Sequence, residues 1–403
     1  MKKNYILLIA LFAIQGVNAQ WVTQNSGTTN SLNSVYYTDV NTGYIVGDGG
    51  TILKTFDGGI NWVSLPSGTQ YNLASVHFPI ADTGYAVGNY YYGTILKTID
   101  AGMTWTILVS SYAAYYSVYF TSADTGYVTE SYDMGSGNIM KTIDGGNAWN
   151  FTDVGWQFGI CFPNALTGYS VGVNGQIWSY GTINKTIDGG STWVNIFSLA
   201  DIKLNSVYFI DPEKGYVVGN GGTVLKTTDG GINWENQTSG TVNNLTSVYF
   251  TDADIGYVVG ESGTIMKTTN GGITWENQTS GTFNDLTSVY FTDADTGYVV
   301  GDDGTILKTM DGGGPPVEVT ERSLNSGSLK IYPNPSSDKI TIETSEKLQK
   351  SYLSIYNLNG MELLKQHILE SKSIIDISSL PSGIYLVKVL GDKTVQIGKI
   401  IKE

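Results

Sequence analysis

Few side chains in this chain are equipped for catalysis. His77 and His367 are the only histidines, Cys161 is the only cysteine and Arg322 the only arginine in 403 residues. A Ser-His-Asp triad or a zinc site needs imidazoles and thiolates brought together. Neither has its material here, and no metal or other cofactor is expected. His77 also stands at a strand position held by Tyr36, Tyr119 and Tyr208 in equivalent segments, which makes it a packing substitute for tyrosine. Carboxylates remain. Glu130, where other segments carry glycine, together with Asp133 or Asp153, would be the pair for glycoside hydrolysis or lyase chemistry, provided the groups lie roughly 5 to 9.5 Å apart. Asp252-x-Asp254-x-Gly256 and Asp293-x-Asp295-x-Gly297 share the opening spacing of a calcium loop. They lack the bidentate Glu at its twelfth position and read as turns.

Aromatic residues are the more abundant resource. Tyr90, Tyr91 and Tyr92, then Tyr112, Tyr115 and Tyr116, then Tyr132, then Trp156 and Phe158, then Trp178 and Tyr180 crowd one stretch of the chain. Rings left in water cost free energy, and large patches on a monomer mark binding surfaces. Flat rings beside Asn, Gln and Ser suit a sugar face or an extended peptide. The alternative is that these rings pack on one another and stabilise long loops.

Both sets of residues must be positioned by repeats. Trp21, Trp62, Trp105, Trp149, Trp193, Trp234 and Trp275 recur at spacings of 41, 43, 44, 44, 41 and 41 residues. After Trp275, Leu286 to Phe291, Gly297 to Gly301 and Thr305 to Thr309 read as three strands, and in earlier units a fourth begins at the Trp. Four antiparallel strands per unit make a propeller blade, and seven units make an all-β, seven-bladed propeller. The seventh unit stops at Gly314 without its Trp strand, while Trp21 to Thr28 matches Trp234 to Thr241. The first strand of the mature chain is therefore expected to close the last blade, burying a Trp of about 200 Å², worth up to about 5 kcal/mol. Between the second and third strands the loops measure 3, 5, 7, 9, 3, 3 and 3 residues. Growth by two adds one residue to each strand and keeps every side chain on its face. The aromatic segments fall on these longer hairpins and on the connections into blades 3 and 4, at one end of the strands.

The opposite end carries a fixed turn, Thr55-x-Asp57-x-Gly59-x-Asn61-Trp62, with counterparts at Asp100, Asp144, Asp188, Asp229, Asn270 and Asp311. A carboxylate there accepts backbone N–H groups across its own turn and glycine supplies positive φ. Seven such groups spaced round a ring cannot share one active site, so they are structural. A lysine precedes each turn (Lys54, Lys97, Lys141, Lys185, Lys226, Lys267 and Lys308), and its strict repetition favours local pairing or a solvated edge over an anion site. These motifs resemble the Asp-box repeat of sialidases and of photosystem II assembly factor-like propellers. The Gly256-Tyr257-Val258-Val259-Gly260 strand makes the latter the nearer match, over residues 21 to 314. Sialidases hold the substrate carboxylate with arginines, and the assembly factors present an arginine patch. The sole arginine lies outside the propeller, which argues against both activities.

The ends of the chain read as an address. Lys2 and Lys3, an apolar run from Tyr5 to Ile14 and the small side chains before Gln20 resemble a secretory signal peptide, residues 1 to 19, too short for the roughly 20 apolar residues of a membrane span. No later segment is long or apolar enough. After Gly312-Gly313-Gly314-Pro315-Pro316 the composition shifts, giving a propeller over 20–314, a linker over 315–328 and a small Ig-like β-sandwich over 329–403. Tyr332-Pro333-Asn334-Pro335, Asn359-Gly360, Gly383-Ile384-Tyr385 and the terminal Lys399 to Glu403, with Lys402, resemble the type IX secretion system C-terminal sorting domain; Met361 departs from the basic residue usual there. The resemblance implies export through the periplasm to the outer surface of a Gram-negative bacterium, with the secretion machinery as partner.

The propeller carries nine Lys against 26 Asp and Glu, a net charge of −17, while residues 315–403 carry +1. Such a field repels phosphate backbones, so nucleic acid is not a partner. The sequence thus points to a monomeric, secreted or cell-surface binding module for a protein or glycan, with an extracellular glycoside hydrolase or lyase as the rival reading.

Overall fold

Every Gly-Tyr-x-Val-Gly segment becomes a strand covered on both faces; all five residues of Gly256–Gly260 are buried. Flanking strands alternate between covered and half-exposed positions, as Leu245–Phe250 does, so each unit builds one sheet with this apolar strand near its middle. The computed structural model describes residues 21–88, 93–132, 136–174, 180–314, 329–343, 351–357, 362–368, 370–390 and 395–403. Contacts divide the chain into two units, one running to Pro316 and the other Val317–Glu403.

The first unit contains seven four-stranded antiparallel sheets. In blade 6 the order from the axis outward is Leu245–Phe250, Gly256–Gly260, Thr264–Thr268 and Glu276–Gln278. Neighbouring inner strands pack side by side, and the seventh, Leu286–Phe291, packs against the first, Leu32–Tyr37, closing the ring. Blade 7 takes its fourth strand from the start of the described chain: Val22 pairs with Lys308, Thr23 with Leu307 and Gln24 with Ile306. Trp21 is 1% exposed. Each repeat tryptophan stands edge-on to the aromatic residue that ends its blade's inner strand, at 5.8 to 6.5 Å. That aromatic ring covers the first glycine of the second strand, where a Cβ on Gly256 would come within 2.4 Å of Phe250.

Blades are joined by a repeated lock. The Tyr of each second strand stacks on the aromatic residue of the next blade, with Tyr85 and Phe120 at 3.6 Å and Tyr257 and Phe291 at 4.0 Å. Its hydroxyl donates to a carbonyl in the next blade's Asp turn, and Lys54, Lys97, Lys185, Lys226 and Lys308 each donate to the same oxygen as their neighbouring tyrosine. Lys54 and Tyr44 meet on Ala101 O, Lys97 and Tyr85 on Gly145 O, and Lys308 and Tyr298 on Gly58 O. Local pairing of the lysines is thus found, but with the adjacent blade, where burial depresses the basicity of Lys54, Lys226, Lys267 and Lys308.

At the axis, one position of each inner strand supplies Tyr36, His77, Tyr119, Cys161, Tyr208, Tyr249 and Tyr290. Tyr36 donates to Phe78 O, Tyr208 to Phe250 O and Tyr290 to Tyr37 O, each crossing to the following blade. His77 lies between Tyr36 and Tyr119 with ring centroids 4.9 and 4.8 Å away, as a substitute for tyrosine should.

The second unit is a sandwich of a three-stranded and a four-stranded sheet around Ile340, Ile342, Leu353, Ile355, Ile375, Val387 and Ile400. The motif residues mostly hold it together. Asn334 donates to Lys399 O and accepts from Ile401 N, both at 2.8 Å, tying the two ends of the domain. Tyr385 is buried and donates to Pro381 O at 2.6 Å, at the start of the strand opened by Gly383. Tyr332 is exposed and donates to Glu343, and Lys402 donates to Glu403 O. Pro333 and Pro335 flank Asn334. Gly360 lies outside the described residues.

Candidate functional site

The two ends of the propeller differ in kind. At the Asp-turn end the blades share one network, centred on a threonine and the acidic or amide residue two positions on. Thr98 Oγ1 donates to Asp100 Oδ1 at 2.8 Å and accepts Gly102 N–H, while Asp100 accepts the N–H and hydroxyl of Thr104 at 2.9 and 2.6 Å. These bonds lower the pKa values of Asp57, Asp144 and Asp229, and take those of Asp100 and Asp188 to about 2, hydrogen bonding being the leading cause. Asn270 Oδ1 likewise accepts from Thr268 Oγ1 and Thr274 N–H, but its Nδ2–H donates to Thr274 Oγ1 where Asp100 accepts, and Asp311 accepts from Thr309. Asp252 and Asp293 each accept two N–H groups of their own turns. Among the described residues, no group of three or more His, Cys, Asp and Glu side chains is arranged to hold a metal ion.

The other end is where blades lose their identity. Measured between equivalent pairs, the hairpins grow as the loop lengths imply: Gly47 faces Thr51, Glu130 faces Asn138 and Gly172 faces Thr182. The added residues continue the ladder, as Ser131 with Gly137 and Val173 with Gly181. Tyr112 is 79% exposed, Tyr180 52% and Tyr132 41%. Trp156 opens the inner strand of blade 4 and donates its Nε1–H to Tyr132 O at 2.8 Å, which anchors the indole beside that hairpin. Tyr90, Tyr91, Tyr92, Asp133 and Trp178 lie outside the described residues.

Tyr115 does not belong to this surface. It is 1% exposed, takes the place of the core leucine of other inner strands, and shares its hydroxyl with Ser111 at 2.8 Å; burial pushes its phenol up to about 12. Conversely, Tyr116 and Phe158 are nearer the axis than their loop setting suggested. Both occupy the bulge of an inner strand, where Asn33 and Asn205 elsewhere bond to the next blade. They meet edge-on at 5.1 Å, and Lys203 Nζ lies 4.0 Å from the Phe158 centroid. The sequence signal is the bulge position itself, one residue before the serine that recurs as Ser34, Ser117 and Ser206, a place taken in blade 4 by Gly159.

Glu130, Asn138 and Asp153 occupy one rung of blade 3. Glu130 is 2% exposed and accepts Asn138 Nδ2–H at 3.0 Å, whereas Asp153 is exposed and accepts Gly155 N–H at 3.3 Å. One carboxylate is thus walled in and the other in solvent, a poor arrangement for groups that must touch one substrate. A groove of about 550 Å³ is marked by no sequence motif. It opens beside the closing strand, lined by Gln24, Asn25, Thr282, Asn284 and Asp303, next to the exposed Phe283.

Fold and surface define a seven-bladed Asp-box propeller followed by a β-sandwich tail. Residues 330–403 match the secretion system C-terminal sorting domain, and residues 14–113 and 237–318 match the photosynthesis system II assembly factor YCF48. The chain thus joins a YCF48-like propeller to a type IX sorting domain, a tail that marks a secreted or cell-surface protein. Among solved structures, YCF48 bound to D1 peptide superimposes with a TM-score of 0.60 at 19% identity, covering 72% of this chain and 95% of that one. YCF48 from Cyanidioschyzon merolae gives 0.60, 19%, 72% and 98%, and the WD40 propeller domain of Doa1 gives 0.56, 12%, 71% and 94%. No curated protein matches the chain by sequence.

Proposed function

We propose that this is an exported, non-enzymatic binding protein whose hairpin end, across blades 2 to 4, takes a protein or glycan partner. The carrying observation is a contrast within one molecule. Blades 1 and 5 to 7 close that end with three-residue turns, whereas blades 3 and 4 extend their hairpins and hold Tyr132, Tyr180 and an anchored Trp156 there, with Tyr112 on the connection into blade 3. Aromatic side chains with few torsions and a polar handle supply contact area at low entropic cost. YCF48, of similar fold, has been seen with a peptide bound. The signal peptide at residues 1–19 and the sorting domain would take the protein through the periplasm to the outer surface of a Gram-negative bacterium.

The burial of Glu130 weighs against the hydrolase reading. Screening the mature chain against glycans and outer-surface proteins tests the proposal. Capture should be lost in a Tyr132→Ala/Trp156→Ala/Tyr180→Ala variant that melts like the wild type; undiminished capture would remove the surface from consideration.

A further inference from the structure

Resting on that reading of the hairpin end, we infer that its partner is a basic polypeptide lying across the mouth of the central channel, apolar side chains on blades 3 and 4 and cationic ones toward blades 6, 7 and 1. Two independent placements lead there. The first is the aromatic sector, which extends from the exposed hairpins to the axis through Trp156, Tyr116 and Phe158. A ligand seated on it must approach the channel mouth.

The second is where charge lies. Of the nine propeller lysines, five make the inter-blade lock, Lys141 and Lys267 hold the same strand position opposite Tyr127 and Tyr257, and Lys214 donates to Ala253 O, all at the Asp-turn end. Only Lys203 stands at the hairpin end, over the Phe158 ring. Carboxylates are not so divided. Asp48, Glu261 and Asp302 form the hairpin tips of blades 1, 6 and 7, and their N–H groups donate to Ser31 O, Asn244 O and Asp285 O at the foot of the inner strands. Asn33 and Asn244 then donate to the carboxylates of Asp48 and Glu261 at 2.9 and 2.7 Å, holding them over the start of the inner strands. Asp285 accepts Ser262 N–H at 2.8 Å between them. The mouth therefore has an aromatic side and an anionic side, and the field over it favours a positively charged chain and repels an acidic one.

A direct test titrates the full mature protein with a fluorescein-labelled peptide of alternating Lys and Phe, and with its counterpart carrying Glu for Lys. The Lys peptide should bind at least about tenfold more tightly at low salt, with the preference shrinking as ionic strength rises. Glu261→Gln/Asp285→Asn/Asp302→Asn should abolish the preference without lowering the melting temperature. Trp156→Ala/Phe158→Ala should weaken both peptides. Equal binding of the two peptides, a preference untouched by the charge variant, or no binding of either up to about 1 mM would overturn the inference. Loss of binding in the aromatic variant alone would leave the surface standing and remove only the charge of its partner.

Discussion

The indole of Trp21 meets the ring of Phe291 edge-on at 5.9 Å, so the first described residue of the chain lies in the core of its last blade. Trp21 also faces Tyr257 of blade 6 at 6.3 Å, which makes one side chain common to two blades. Trp21→Ala should cost about 3–5 kcal/mol, and removal of residues 21–28 should lower the melting temperature further by reopening the ring. Differential scanning calorimetry reads both. An unchanged transition in the truncated protein would contradict closure by this strand.

The lock between blades is a second source of stability. Lys308 Nζ and Tyr298 Oη both donate to Gly58 O at 2.7 Å, linking blade 7 to blade 1 across the closure. Lys308→Met keeps the aliphatic stem and removes the charged donor, for an expected loss of about 1–2 kcal/mol in urea unfolding. Tyr298→Phe should cost less, because the carbonyl keeps its lysine.

His77 gives the channel a pH dependence. Burial takes its pKa down to about 4, below the roughly 6.5 of an unfolded histidine. Between those values the unfolded chain binds a proton that the folded chain does not, so this contribution is complete above about pH 6.5 and is lost as pH falls toward 4. His77→Tyr restores the residue found in neighbouring blades and should flatten the stability profile across that interval. Retention of the wild-type slope would place its origin elsewhere.

The Asp turns distinguish carboxylate from hydrogen-bond acceptor. Asn270 already bridges the same groups as Asp100, with its amide donating to the threonine hydroxyl instead of accepting from it, so Asp100→Asn should melt close to the wild type, while Asp100→Ala should melt a few degrees lower. A collapse of stability in the Asn variant would show that charge, not geometry, is what the turn requires.

Legibility in the sequence followed the repeats. Leu286–Phe291, Gly297–Gly301 and Thr305–Thr309 fold as their pattern implied, and the hairpins lengthen by one pair for every two residues inserted, because these are contacts within one blade. What passes between blades was not legible. The lysines could be seen to recur, but their acceptor is a backbone carbonyl more than 40 residues away, as Lys97 to Gly145. Tyr115 looked like its neighbours in a run of tyrosines. The register at a bulge sent Tyr115 into the core and placed Tyr116 in the bulge itself, a distinction that composition does not carry.

The most direct test of the proposed binding surface is hydrogen–deuterium exchange of residues 20–403 with and without a captured partner or the Lys/Phe peptide. Protection confined to the hairpins and inner-strand starts of blades 3 and 4, around Tyr132, Trp156 and Tyr180, is the expected result. Protection centred on the Asp turns, with those segments exchanging as in the free protein, would contradict it.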